Sequence, residues 1–145
     1  MKAFICASWK KRDEVRMLAE ALRTAGHDVF DFTDPSCRAS PPAPPGEVEA
    51  FDARRHSYAE YIDRPGWRAA VFENRDAIRS SDVVILLLPC GLDATADWAC
   101  GVGCGKTTYI VGRPEGGEFS PNHLWADGIF PDSEELLSFL GCQEG

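Results

Sequence analysis

The chain carries its clearest strand signal at Asp82-Val83-Val84-Ile85-Leu86-Leu87-Leu88-Pro89. Six consecutive aliphatic residues leave no alternation of apolar and polar side chains, so both faces of this strand must be covered. Strands covered on both faces are typical of the centre of a parallel sheet that has helices on each side. This stretch therefore predicts an α/β domain.

The segments before this strand predict two more strands and two helices. Residues 2–6 and 28–32 are short apolar-rich runs. The helix predicted between them, over residues 10–25, carries an apolar stripe of Val15, Leu18, Ala19 and Leu22. A helix over residues 66–80 carries an inward stripe of Trp67, Ala70, Val71 and Ile78. Asn74 falls on that same stripe, and because burying an unpaired amide costs roughly 1–3 kcal/mol, it needs a partner.

The segments after the strand complete the alternation. They predict a helix over residues 94–104 with Asp93 as its N-cap, a strand over 107–111, a short strand near Ile129 and a last helix over 132–140. The order predicts a doubly wound parallel sheet of about five strands in three layers, with strand order 2-1-3-4-5. Ligands of such sheets bind beyond the carboxyl ends of the strands, so we expect a crevice between residues 7–9 and 90–93.

Length and composition indicate one domain over residues 1–145, interrupted by a proline-rich loop insert at about residues 34–56. The aromatic residues that follow leave two alternatives open: a surface flap that packs its own rings, or a lid over a ligand. The net charge of −8 argues against a nucleic acid polymer or an anionic membrane as partner. No signal peptide or membrane span is recognisable, so we expect a cytoplasmic protein with six reduced cysteines and no metal site.

One glycine-rich run, residues 101–108, superficially resembles a nucleotide P-loop. The pattern requires a glycine where Cys100 stands, and it must join a strand to the start of a helix. Here the run ends a helix and opens a strand, so we reject a P-loop. The stronger candidate is Asp97, a carboxylate near the start of the helix that begins at the crevice. The simpler alternative is an acidic residue that only complements the helix dipole.

Three stretches resemble the nucleoside 2-deoxyribosyltransferase family, which includes nucleotide N-glycosidases that hydrolyse deoxynucleoside monophosphates. Phe4-Ile5-Cys6-Ala7-Ser8 resembles the family's first strand and substrate loop. Asn74 with Ser81-Asp82 resembles the helix before strand three. Residues 97–106, Asp-Trp-Ala-Cys-Gly-Val-Gly-Cys-Gly-Lys, resemble the family's Glu-x-Gly-(aromatic)-Ala-x-Gly-x-Gly-Lys. The resemblance implies a flavodoxin-like fold.

The resemblance also implies the activity and the site. The family nucleophile is a Glu, whose place is taken by Asp97, and Asn74 takes the place of a second acidic residue. Binding of the sugar, phosphate or base is assigned to the following residues: Cys6, Ser8, Trp9, Trp67, Gly91 and Asp93. No cofactor or metal is implied. The expected partners are a small nucleoside or nucleotide and further copies of the chain, in a homodimer or higher homo-oligomer.

Two departures from the family pattern leave alternatives open. Asp is one methylene shorter than Glu, and Asn74 cannot act as an acid. One alternative is therefore a non-catalytic nucleotide-binding or signalling module that retains the pocket. The other is an NAD glycohydrolase similar to TIR-type domains, which the neighbouring Trp98 weakly favours.

Overall fold

A computed structural model describes residues 1–40, 49–116 and 120–144 of the chain. The strands are β1 (Lys2–Cys6), β2 (Asp28–Phe30), β3 (Val83–Leu87), β4 (Thr107–Val111) and β5 (Gly128–Phe130). They form one sheet of order β2-β1-β3-β4-β5 in which every neighbouring pair is parallel. The predicted fold class, strand number and strand order are confirmed.

The described residues form five α-helices, which are α1 (Arg12–Thr24), α2 (Tyr58–Ile62), α3 (Pro65–Ser80), α4 (Leu92–Gly103) and α5 (Ser133–Glu144). Helix α2 is short and has no buried residue, and the other four cover the two faces of the sheet. Buried side chains of α1 and α5 share one core cluster, whereas those of α3 and α4 share the other. The result is the predicted three-layer arrangement, with β1 and β3 at the centre of the sheet.

The continuous apolar run of β3 is explained by these two clusters. Val83, Ile85 and Leu87 face the cluster on the α1 and α5 side, and Val84 and Leu86 face the cluster on the α3 and α4 side. All five side chains are buried. Since neither face of β3 meets solvent, hydrophobicity cannot alternate along it.

Two details of the helices correct the sequence predictions. Val71 was expected on the inward stripe of α3 but is 61% exposed, because the N-terminal half of this helix borders a cavity instead of the sheet. Asp93 was expected as the N-cap of α4, but α4 begins two residues earlier and Gly91 occupies the cap position. Asp93 therefore lies within the first turn, and Asp97 lies in the second.

The proline-rich insert is described only in part, since residues 41–48 lie outside the described ranges. After them, Phe51 contacts the rings of His56, Tyr58 and Tyr61, and Tyr61 contacts Trp67 edge-on at a centroid distance of 5.4 Å. The rings thus pack on one another, while Trp67 also borders a cavity. Both the flap and the lid interpretations stay open. Along the described residues, no helix combines the length and hydrophobicity needed to cross a bilayer.

Candidate active site

A cavity of about 720 Å³ opens at the carboxyl end of β1, where it is bordered by α3, α4 and the segments that follow β1 and β2. Six of the eight predicted site residues line it: Cys6, Trp9, Trp67, Asn74, Asp93 and Asp97. A smaller cavity of about 420 Å³ lies beyond β3 and β4 and contains none of them. The position agrees with the crevice expected where the winding of the sheet reverses.

Asn74 and Asp97 come together from two different helices. Asn74 lies on α3, Asp97 lies on α4, and the Asn74 Nδ2 donates a hydrogen bond of 3.3 Å to Asp97 Oδ2. Both side chains border the cavity. The predicted buried amide therefore has its partner, and this partner is the candidate nucleophile.

The ionisation of Asp97 is set mainly by its burial. The pKa of this carboxyl is raised from 3.8 to about 6, mainly by burial and to a lesser extent by the negative charge of Asp93. The Asn74 hydrogen bond and the Arg38 guanidinium lower the pKa and oppose this effect. A carboxyl poised near neutral pH in a cavity is typical of a functional site, because desolvation strengthens its interactions with a bound ligand.

Close packing of helix α4 on the sheet fixes the position of Asp97 relative to strand β3. Gly101 lies one turn after Asp97, and a Cβ on it would stand 2.8 Å from the Cγ2 of Val84. Val84 is fully buried in the central strand and cannot yield. The glycine therefore allows α4 to approach β3, while Trp98 turns into the core and Asp97 toward the cavity.

Two tryptophans supply much of the aromatic wall. Trp9 meets Phe32 edge-on at a centroid distance of 5.3 Å. Trp67 is held by Tyr61 and by the Arg64 guanidinium, which lies 5.3 Å from the centroid of the Trp67 ring. Rings fixed in this way present flat apolar surfaces to a ligand at little entropic cost.

Ser8 and Gly91 are placed next to the cavity-lining segments but are not among the lining residues. The Ser8 hydroxyl accepts a hydrogen bond of 3.3 Å from the backbone N–H of Lys10 and caps a short 3-10 turn. Gly91 is the N-cap of α4. The catalytic and binding roles of all eight residues stay predictions.

Sequence reasoning missed several charged and aromatic residues of the cavity, above all Arg38, Asp63 and Arg68. Arg38 stands in the proline-rich insert, where neither periodicity nor a motif marks individual residues. Arg68 and Asp63 bind each other through two hydrogen bonds of 2.9 and 2.6 Å. Only the folding of the insert against α3 identifies Arg38 as a site residue.

Within residues 1–40, 49–116 and 120–144, no group of three or more His, Cys, Asp or Glu side chains could hold a metal ion.

The rejection of a P-loop agrees with the local structure of residues 101–108. Gly103 ends α4, Gly105 adopts a positive φ of 70°, and β4 begins at Thr107.

Comparisons with known proteins identify relatives in structure but none in sequence. No family model and no curated protein matches the chain. The CMP N-glycosidase BcmB from Clostridium botulinum superposes with a TM-score of 0.54 at 14% identity, over 99% of both chains. A 2-deoxyribosyltransferase from Bacillus psychrosaccharolyticus superposes with a TM-score of 0.61 at 18% identity, over 94% of this chain and 90% of that one. The chain therefore has the fold that these two enzymes share, as the sequence resemblance predicts.

Proposed function

We propose that the protein cleaves or transfers the N-glycosidic bond of a nucleoside or nucleotide, with Asp97 as the nucleophile. The observation that carries this proposal is the Asn74–Asp97 pair, whose carboxyl has a pKa of about 6 and faces a cavity of ligand size. Two structural neighbours whose names are CMP N-glycosidase and 2-deoxyribosyltransferase support the reaction class.

The reaction follows from the chemistry of a buried carboxylate. An oxygen of ionised Asp97 attacks the anomeric carbon, the bond from this carbon to the base nitrogen breaks, and the base leaves with the bonding electrons. The resulting glycosyl ester is resolved by water, which gives hydrolysis, or by a second base, which gives transfer. In both cases the carboxylate is regenerated, and the proton that the water or the second base gives up balances the one that the departed base takes up.

Asn74 supports this step as a hydrogen-bond donor. Its amide holds one oxygen of Asp97, which leaves the other oxygen free to attack. Trp9 and Trp67 each offer a flat apolar surface on which a base can stack, and Cys6 and Asp93 border the same space. The substrate class that fits is a planar base joined to a sugar.

A second candidate is a nucleotide-binding module without catalysis. It is favoured by Asn74, which cannot donate the proton that a departing base needs, and by the shorter reach of Asp97. A misplacement of roughly 1 Å can cost about a hundredfold in rate. An NAD glycohydrolase is a third candidate, but Trp98, the residue that favoured it in the sequence, is buried in the core and does not line the cavity.

A panel of nucleosides, nucleoside 5′-monophosphates and NAD tests these alternatives through the release of free base or nicotinamide. We expect Asp97→Ala to abolish release, while Asp76→Asn, an exposed carboxylate on α3 that pairs with Arg75, keeps it. Asp97→Glu restores the family side chain, and its effect shows whether reach limits the rate. Unchanged release by Asp97→Ala would end the nucleophile assignment, and tight binding of a nucleotide without release would favour the second candidate.

We further propose that the active form is a cytoplasmic homodimer or higher homo-oligomer. Ile62, Val71 and Phe72 border the cavity and yet are 48%, 61% and 41% exposed. Exposed apolar side chains at the rim of the cavity are suited to contact with a second copy of the chain. Such a contact would narrow the cavity around the base.

A further inference from the structure

Arg38 is a buried guanidinium that lies between the segment after β2 and helix α3. Only 3% of its side chain is exposed. Its Nη1 donates to Asn74 Oδ1 at 2.8 Å and approaches the carbonyl of Phe32 at 3.5 Å, and its Nη2 donates to the carbonyl of Ala70 at 3.3 Å. It also borders the cavity. The shortest of these hydrogen bonds is accepted by Asn74, the residue whose amide donates to Asp97.

Glu73 fixes the backbone that carries Arg38. Its carboxylate accepts hydrogen bonds of 2.9 Å from the N–H groups of Ala39 and Ser40, and one of 2.6 Å from the Ser40 hydroxyl. Burial raises the pKa of Glu73, but these hydrogen bonds outweigh it, so the pKa lies below its ordinary value. The hydrogen bonds from Glu73 to Ala39 and Ser40 therefore persist over the pH range in which Asp97 titrates.

Glu73 forms a long ion pair with Arg38 but no hydrogen bond with it. Arg38 Nε stands 3.9 Å from Glu73 Oε1, and within the described part of the chain this buried Nε has no hydrogen-bond partner. A purely structural arginine is expected to satisfy its charge with the nearest carboxylate, since a buried charge is costly unless it is paired. Here the shortest hydrogen bond of the guanidinium goes instead to the side-chain amide of Asn74, which in turn donates to Asp97.

The donor chemistry of arginine determines which way the amide of Asn74 faces. A guanidinium has donors only, so Asn74 must present Oδ1 to Arg38. Nδ2 then points to Asp97 and donates to its carboxylate. The reverse orientation would set the amide hydrogens against the guanidinium and the amide oxygen against the carboxylate, and both contacts would repel.

We propose that Arg38 is a positioning residue, which acts through Asn74 to hold the Asp97 carboxylate in place and oriented toward the cavity. The role in catalysis rests on the proposed function, whereas the arrangement itself can be tested without any substrate. The charged and titratable groups that face Asp97 are Asp93 and Cys100 on its own helix, Cys6 on β1, and Arg38. Arg38 is the cation among them.

The test without substrate is a carboxyl ¹³C NMR titration of Asp97. In Arg38→Met we expect the apparent pKa of Asp97 to rise by roughly 1, because both the cation and the orientation of the amide are lost. Arg68→Met is the matched control, since Arg68 borders the same cavity but binds Asp63, and we expect no change. Arg38→Lys retains the charge but lacks the forked donors of the guanidinium, so the pKa of Asp97 should stay close to its value in the parent protein.

A double-mutant cycle tests whether the effect passes through Asn74. We expect Asn74→Ala to raise the pKa of Asp97 as well. Arg38→Met should then change this pKa by less in the Asn74→Ala background than in the parent protein, because the two residues act as a unit. If Arg38→Met does not fold, the same cycle is measured with Arg38→Gln, which also removes the charge. An unchanged pKa of Asp97 in folded Arg38→Met or Arg38→Gln, or fully additive effects in the cycle, would overturn the proposal.

Turnover supplies the second measurement. At pH 8, where Asp97 is ionised in every variant, Arg38→Met should lower kcat about tenfold or more with little change in KM, as expected for a misplaced nucleophile. Arg38→Lys should restore the pKa better than it restores kcat. Should no substrate of the panel react with the parent protein, the proposed function fails, while the titration still decides the role of Arg38.

Discussion

Replacement of Asp97 by Asn should stabilise the folded protein at neutral and alkaline pH while it abolishes base release. The structure raises the pKa of this carboxyl from 3.8 to about 6, with burial as the main cause. Since each pKa unit corresponds to about 1.4 kcal/mol, the ionised side chain costs the fold on the order of 2–3 kcal/mol. Asn has nearly the same shape and carries no charge to desolvate, so the variant escapes this cost.

The sign of the pH dependence follows from linkage. The folded state binds the Asp97 proton more tightly than the unfolded chain does, so ionisation weakens folding as the pH rises from about 4 through 6. The stability difference between Asp97→Asn and the parent should therefore be largest above pH 7. This stability difference should shrink toward zero near pH 4, where residue 97 is neutral in the folded parent as it is in the variant.

Thermal unfolding measured at pH 4, 6 and 8 provides the assay. For a chain of this size, the expected gain in Tm at pH 8 is roughly 5–10 °C, because 1 kcal/mol shifts Tm by about 2–4 °C. Asp76→Asn is the control, since its exposed carboxylate pairs with Arg75 outside the cavity, and it should not raise Tm at pH 8. An Asp97→Asn variant that melts at or below the parent temperature at pH 8 would refute the claim that this carboxylate is desolvated.

Two further predictions concern packing and assembly. Gly101→Ala should destabilise the protein by about 1–3 kcal/mol in urea unfolding, since its Cβ would meet Val84 at 2.8 Å. The control is Gly103→Ala in the same helix, whose Cβ would meet nothing within 4 Å, so this variant should be neutral or slightly more stable. Light scattering across a dilution series should give at least twice the 15.9 kDa of one chain, and a mass that stays at 15.9 kDa would contradict the proposed homo-oligomer.

The fold could be predicted from the sequence because its signals are local and periodic. The apolar run of β3 requires cover on both faces, and the stripe of Val15, Leu18, Ala19 and Leu22 is buried as its helical spacing predicts. The alternation of strands and helices then leaves few topologies, since parallel crossovers are right-handed and short. Asn74 could be identified by the same reasoning, as an amide on an apolar stripe that needs a partner.

The parts of the site that depend on distant contacts could not be predicted in this way. Arg38 and Asn74 are 36 residues apart in sequence, and no periodicity connects a residue of the insert with a residue of α3. Val71 was placed on the inward stripe because spacing does not reveal where a helix extends past the sheet that it covers. The pKa of Asp97 likewise depends on how much water the assembled walls of the cavity exclude. The sequence by itself therefore determined the architecture and singled out Asp97 and Asn74 as candidate site residues. Only the tertiary structure decided that Asn74 donates to Asp97 and that Arg38 donates to Asn74, because these contacts join segments that are distant in sequence.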